Sequence, residues 1–376
     1  MSRFVSRDLA RRDFSLDVFR GLMIVGMIFV NHPPPDVPTY APFAHAAWHG
    51  WTLADTIFPG FLFTVGVSIR LAMADDRGRP LGPSASLLRR LLARFGLLML
   101  LNLLLVNFPY YWWGKLHFTG TLALIAWCYL FAALIYLYAG WRAQWVLIVA
   151  ALGLQWAVLA LLPVPGYGAG VLSPDGNAAS YVDRLALSWL GPRDAPDVNI
   201  VIVPMAGAVS TTVIGVLAGH WLRGERERNA RLAGLFTAGM LLLMLGSAWE
   251  VVLPINKQLW SGSYVVFMAG LSMQLLAGIK WLAEHCRYQG WAIPLRVAGA
   301  NALALYLLAQ SLQRVLVYGR VTTEEGTIRL RHLVYQRFFE PFVARELGAL
   351  VYTLVFMLLC YSVVFVLYRR RIFLKL

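Results

Sequence analysis

The chain alternates between apolar runs about twenty residues long and short polar breaks. Within a run, hydrophobic side chains fill the whole segment rather than one stripe, the pattern of helices that face lipid as well as one another. The spacing predicts membrane spans over about 16–31, 53–73, 87–107, 118–139, 143–163, 198–222, 231–253, 262–283, 293–313 and 347–368. The fold class expected is therefore an all-α polytopic membrane protein with about ten transmembrane helices. It reads as a single domain over residues 1–376, with 1–15 as a tail and 16–73 as a helix–loop–helix unit. Residues 164–197 and 314–346 are the long connections, the first with a short helix expected at about 178–190. The 314–346 segment is expected to form a lid or a half-inserted helix.

Composition agrees with this pattern. The 376 residues are 59% hydrophobic and only 14% charged, where a soluble chain carries roughly a quarter charged residues. A formal net charge of +14 suggests a polyanionic partner such as nucleic acid. The placement of the charge argues against it, because the lysines and arginines lie in short connections between the spans, most of them on one side, where they set topology. The side holding the N-terminus receives Arg3, Arg7, Arg11, Arg12, the Arg70–Arg94 stretch, the RGERERNAR cluster and the YRRRIFLKL tail. That side is expected to be cytoplasmic, and an even number of spans puts both termini there. The arginines of 314–346 run against this bias, partly offset by four glutamates. Cys128, Cys286 and Cys360 are too far apart to suggest a disulfide framework or a metal knuckle. The first apolar run ends in Asn31-His32-Pro33, not in a small-residue cleavage site, so a retained first helix and no signal peptide are expected.

Polar groups at the rim of the first two runs are the candidate chemistry, since ionisable groups near hydrocarbon are costly to keep. His45 sits among small residues in the proline-rich loop 32–52; an imidazole there serves as a base, as a nucleophile, or simply as a solvated loop side chain. Asn31 ends the preceding run and is able to hold a carbonyl or an oxyanion. His32 and His49 have no metal-ligand spacing with His45, and no metal is expected. Asp17 and Arg20 share one helix face, either as an intrahelical pair or as an anion-binding entrance. Asp55 falls where it would satisfy the first amides of the second helix. Gly60, Gly66 and Ser68 give that helix a small-residue face for close packing or for a thin ligand. Asn256 and Lys257 occupy a short external turn, and Asn301 lies within the ninth run, as interhelical glue or as cavity lining.

Taken together, SLDVFRG, VN, HAAWHGWTLADTIFPGFLFTVGVSI, VIGVLAG, LPINKQLWSGSYVVFMAGLSM and ANALALY resemble, in the same order, the heparan-α-glucosaminide N-acetyltransferase family and its bacterial relatives. The fourth run reads GTLALIAWCY, with Ala123 and Leu124 where relatives carry a Gln-Arg pair. The resemblance implies transfer of an acetyl group from cytoplasmic acetyl-CoA, through the membrane, to an amino sugar of the glucosamine type on the far side. It places the family's catalytic histidine on His45 and its active-site asparagine on Asn31. Asp17, Arg20, Gly66, Ser68 and Asn301 are expected along the acetyl-CoA path, and Trp48, Asp55, Asn256 and Lys257 at the acceptor. The bacterial relatives imply an inner-membrane location without the large lumenal domain, and a homodimer is the assembly the resemblance suggests. The competing expectation is a solute transporter that uses the same cavity without covalent chemistry.

Overall fold

The computed structural model describes residues 13–34, 36–37, 39–75, 81–111, 120–187, 202–323, 326–340 and 344–374. The N-terminal tail to residue 12, the tip of the 108–115 turn and the end of the 164–197 loop lie outside these. Among the described residues the chain is almost entirely helical, with nine helices long and apolar enough to span a membrane and one bent pair that makes a tenth. The expected all-α polytopic architecture is observed.

The helices are α1 (Phe14–Asn31), α2 (Leu53–Ala72), α3 (Ala85–Asn107), α4 (Thr121–Tyr138), α5 (Trp141–Leu161) and the short α6 (Ala178–Leu187). They continue with α7 (Ile202–Leu222), α8 (Arg228–Glu250), α9 (Gly262–Lys280), α10 (Ile293–Ala300), α11 (Ala302–Tyr318), α12 (Leu330–Phe338) and α13 (Arg345–Arg369). Between α11 and α12 a two-stranded hairpin, β1 (Arg320–Thr323) and β2 (Gly326–Arg329), pairs Arg320 with Arg329 and Val321 with Ile328. The described part of the 314–346 segment forms the end of α11, this hairpin and α12.

Local chemistry sets the ends of the two helices that carry the candidate residues. Asp13 caps α1 by accepting from the Leu16 N–H at 3.0 Å, and His32-Pro33-Pro34 stops it. The start of α2 is a capping box, in which the Asp55 carboxylate accepts from the Thr52 N–H at 3.1 Å. Pro59 lies inside α2 and has no N–H for the carbonyl four residues earlier, which is that of Asp55. The Tyr264 hydroxyl of α9 takes that carbonyl at 2.6 Å. The proline therefore ties the first turn of α2 to α9.

More than half of each of α1, α2, α4, α7 and α9 is buried, whereas less than a third of α3, α5, α8 and α13 is. The first group forms the centre and the second the lipid-facing wall. Glycines let the central helices touch backbone to backbone. A methyl on Gly21 would lie 1.8 Å from the Leu295 carbonyl oxygen of α10, and one on Gly299 would lie 1.8 Å from that of Asp17. Gly66 and Gly215 make the same reciprocal contact between α2 and α7, where a methyl on Gly66 would meet the Thr212 oxygen at 1.9 Å.

The ninth expected span departs from a straight helix. It breaks by 71° between α10 and α11, with Asn301 at the break in a non-helical conformation. At the break the Asn301 side-chain amide is held by the C-terminal segment. Nδ2 donates to the Ile372 carbonyl at 3.0 Å and Oδ1 accepts from the Leu374 N–H at 3.1 Å. Asp13 and Leu374 line one cavity, so the two described ends of the chain meet at the same end of the bundle.

Candidate active site

The loop between α1 and α2 brings His45 to Asn31 and Asp55. His45 Nδ1 lies 2.8 Å from Asp55 Oδ1, and Nε2 lies 3.1 Å from Asn31 Oδ1. Lys257 Nζ, from the turn before α9, is 3.1 Å from Asp55 Oδ1 and 3.0 Å from His45 Nδ1. Nδ1 cannot donate to the carboxylate and accept from the ammonium at once. Satisfying the buried carboxylate puts the proton on Nδ1 and leaves Lys257 to donate to Oδ1 as well. Nε2 is then a free lone pair, and the Asn31 amide is satisfied when its NH2 group faces that nitrogen.

The Asp55 side chain is 1% exposed and the His45 side chain 38%, so the carboxylate is sealed while the imidazole is open to a reactant. Asp55 Oδ2 receives the backbone N–H groups of Ala46 at 3.0 Å and Thr52 at 3.1 Å. The Thr52 hydroxyl closes the loop by donating to the Ala44 carbonyl at 2.7 Å. One buried carboxylate thus fixes the loop, the start of α2 and the imidazole together. Burial lowers the Lys257 pKa from its ordinary value, and the Asp55 carboxylate opposes that effect.

Asn256, expected at the acceptor, is fully buried. Its Nδ2 donates to the Trp48 carbonyl at 2.9 Å and its Oδ1 accepts from the Leu259 N–H at 2.8 Å. Trp48 donates from its indole to the Leu172 carbonyl at 2.6 Å, which anchors the long 164–187 connection over the same end of the bundle. These two hold the turn that carries Lys257. His49 lies beside Asn256, and burial lowers its pKa. His32 points inward, donates from Nδ1 to the Ile28 carbonyl at 2.7 Å and stacks on Phe356. Its burial lowers the imidazole pKa to about 4.

A cavity of about 950 Å³ opens at the opposite end, where the two described ends of the chain meet. Asp17, Arg20 and Ser68 line it as expected, joined by hydrogen bonds from Arg20 to Asp17 at 2.9 Å and to Ser68 at 2.8 Å. Basic groups crowd its mouth: Arg94, Arg223, Arg228, Arg231 and Lys280. Lys280 is paired with Asp13 at 2.7 Å and with Glu284 at 3.0 Å. Arg94 stacks on Tyr129, and its Nε is buried without a hydrogen-bond partner. The deep end is apolar and stops at Met27 and Phe61. Met27 is one helical turn below Asn31. Gly66 faces α7 rather than this space, and Asn301 is turned to the C-terminal segment between two residues, Ala300 and Ala302, that do line it.

Sequence reasoning placed Lys257 at the acceptor and missed its contact with Asp55. It also missed Tyr264, although Pro59 gave a signal: a proline inside a helix orphans the carbonyl four residues earlier, and here that residue is Asp55. The role of Arg94 and of Leu374 in the cavity wall had no local signature.

Fold and site together describe a polytopic helical membrane protein. It has a carboxylate-oriented histidine at one end and a basic-mouthed cavity at the other. The family model for the catalytic region of heparan-alpha-glucosaminide N-acetyltransferase matches residues 12–249, and the chain belongs to that family. The chain is 29% identical over 350 residues to the heparan-alpha-glucosaminide N-acetyltransferase of Homo sapiens, covering 78% of this chain and 52% of that protein. It is 26% identical over 427 aligned positions to the Mus musculus protein of the same name, covering 98% of this chain and 61% of that one. The chain thus spans little more than half the length of these relatives.

Proposed function

We propose that this protein is a membrane-embedded acetyltransferase that uses acetyl-CoA as donor and an amino sugar of the glucosamine type as acceptor. The cavity side is cytoplasmic in this reading, the His45 side is external, and the membrane is a bacterial inner membrane. One observation carries it: Asp55 Oδ1 lies 2.8 Å from His45 Nδ1, which orients the imidazole with Nε2 beside the Asn31 amide. This is an oriented base with a hydrogen-bond donor next to it, the pair that acyl transfer to an amine requires.

The acceptor amine attacks the thioester carbonyl carbon while His45 Nε2 takes a proton from the nitrogen. The Asn31 NH2 donates to the oxyanion that develops. As the C–S bond breaks, the thiolate leaves and takes the proton back from the imidazolium, giving free coenzyme A and the N-acetyl sugar. In the variant in which His45 is itself acetylated, Nε2 attacks the thioester first and the C–S bond breaks to release the thiolate. The amine then attacks the acetyl carbon, the C–Nε2 bond breaks to restore the neutral imidazole, and the amine proton passes through Nε2 to the thiolate. Arg20, Arg94 and the arginines of the mouth supply charge-assisted donors for the donor's phosphates. The buried, unpartnered Nε of Arg94 fits such a role. The pantetheine arm is thin and largely uncharged, as the apolar deep end asks. From Asp17 to Asn31 is fourteen residues of helix, about 21 Å.

The test is incubation of the purified chain with labelled acetyl-CoA and glucosamine. N-acetylated sugar is expected from the parent protein and none from His45→Ala, with coenzyme A binding retained in the variant. Full transfer by His45→Ala refutes the mechanism. Uptake of sugar into vesicles without acetylation identifies a transporter instead.

A further inference from the structure

The C-terminal end of the chain holds a contact that acetyl transfer does not explain. Asn301 is 1% exposed, and both functions of its amide go to the backbone of Ile372 and Leu374. One donor and one acceptor spaced to fit an extended backbone are what a neighbouring strand would offer, here supplied by one side chain. The chain is delivered to it by the way α13 ends. The Arg371 N–H bonds the Tyr368 carbonyl at 2.9 Å and the Ile372 N–H bonds the Leu367 carbonyl at 2.9 Å. Arg371 sits at φ 58°, where such a cap usually has glycine. Phe373 packs edge-on against Tyr368. The reversal brings Leu374 into the cavity wall beside Ala300 and Ala302, near the level of Asp17.

A buried amide must be paired, and this one is paired by the chain end. The helix break and the tail are therefore one unit. We propose that Arg370–Leu374 is a strap across the mouth of the cavity, latched by Asn301, and that a long ligand enters only when the latch opens. Opening breaks two hydrogen bonds and withdraws one leucine, a local event of a few residues. The identity of the ligand rests on the acetyl-CoA reading; the latch itself does not.

The experiment uses the full chain in detergent with Leu374→Cys carrying a nitroxide spin label; Leu374 is itself 46% exposed, so the motion of the label, not its rate of attachment, reports the latch. The exposed Cys286 is replaced by serine; Cys128 and Cys360 are buried. The readout is the ratio of mobile to immobile label, and desulfo-coenzyme A is the ligand because it has no thiol. Adding Asn301→Ala is expected to raise that ratio about tenfold, the effect of losing two hydrogen bonds. Asn301→Asp, which keeps the acceptor for the Leu374 N–H, is expected to fall between. Desulfo-coenzyme A is expected to raise the ratio in the chain that retains Asn301. A ratio unchanged by Asn301→Ala overturns the latch. Ligand that binds by calorimetry yet leaves the ratio unchanged or lower overturns the gate. If Asn301→Ala does not fold, a chain ending at Arg371 takes its place. It should bind desulfo-coenzyme A with a several-fold higher association rate, and an unchanged rate overturns the proposal. If desulfo-coenzyme A binds none of these proteins, the donor reading fails and the gate with it, while the mobility of the label in Asn301→Ala still decides the latch.

Discussion

Replacing Asp55 by asparagine separates an orienting carboxylate from a merely structural one. Oδ1 accepts from His45 Nδ1 at 2.8 Å and from Lys257 at 3.1 Å. Oδ2 accepts from the N–H groups of Ala46 and Thr52. All four groups are donors, and an amide offers only one oxygen. If the new NH2 faces Ala46 and Thr52, two backbone donors meet a third and the loop must move. If it faces His45, the imidazole relieves the conflict by changing tautomer: Nδ1 accepts from the amide, the proton shifts to Nε2, and the lone pair that would take the amine proton is gone.

The second arrangement leaves the loop in place, so it is the one expected. Losing a general base costs about 10²–10⁴ in rate, or about 3–5 kcal/mol of transition-state stabilisation. Two charge-assisted hydrogen bonds are weakened as well, each worth about 1.5–3 kcal/mol, so the melting temperature should drop. The cavity ends at Met27 and Phe61, short of this cluster, so coenzyme A affinity should stay within about twofold. The assay is acetyl transfer to glucosamine by the purified variant, alongside calorimetric coenzyme A binding. An Asp55→Asn protein that is folded and works within threefold of the parent would falsify the assignment of Asp55 as the group that orients His45.

Other substitutions test the scaffold. Tyr264→Phe leaves the Asp55 carbonyl, already orphaned by Pro59, without its donor; a loss of about 1–3 kcal/mol is expected in thermal unfolding, and an unchanged melting temperature would contradict the account of the proline. Gly66→Ala puts a methyl 1.9 Å from the Thr212 oxygen and should cost at least about 1–3 kcal/mol; normal yield and melting temperature would contradict the packing of α2 on α7. His32 gives a pH dependence. Its pKa is about 4 in the folded chain against 6.5 when exposed, so the unfolded chain takes up the proton first. The stability it carries is complete above pH 6.5, declines as pH falls, and is gone below about pH 4, up to about 3 kcal/mol. His32→Phe should flatten the melting temperature between those limits, and an equally steep slope in the variant would assign the effect elsewhere.

The helices were legible in the sequence because apolar length alone specifies them in lipid, and the observed ends fall within a few residues of those expected. The break at Asn301 was not, because the partners of its side chain lie some seventy residues away, in the backbone of Ile372 and Leu374. The site divides along the same line. His45 and Asn31 stood out as polar groups beside long apolar runs, and their proximity follows from the loop that joins them. The assignment of Asp55 and Lys257 could not be read locally. A carboxylate at the third position of a helix serves as a cap in most proteins, and here it is a cap and also the partner of two groups from elsewhere. Asn256 carries a polar label and is fully buried scaffolding.

The helical period links the two ends of the molecule. Asp17, Arg20, Ile24, Met27 and Asn31 follow one another at steps of three and four, so they share a face of α1. The first four line the cavity and the fifth touches His45. Ser68, Val65 and Phe61 make the matching stripe on α2. The face changes along its length from charged to apolar and back to polar. In the proposed reaction an anionic head group finds donors at the mouth, a thin chain finds room in the middle, and a reacting carbonyl finds an imidazole at the far end. The cavity stops at Met27, so one turn of α1 separates its apolar deep end from Asn31, which touches the histidine. The function proposed above therefore asks for a long, thin donor, the one kind of molecule with atoms in all three zones at once.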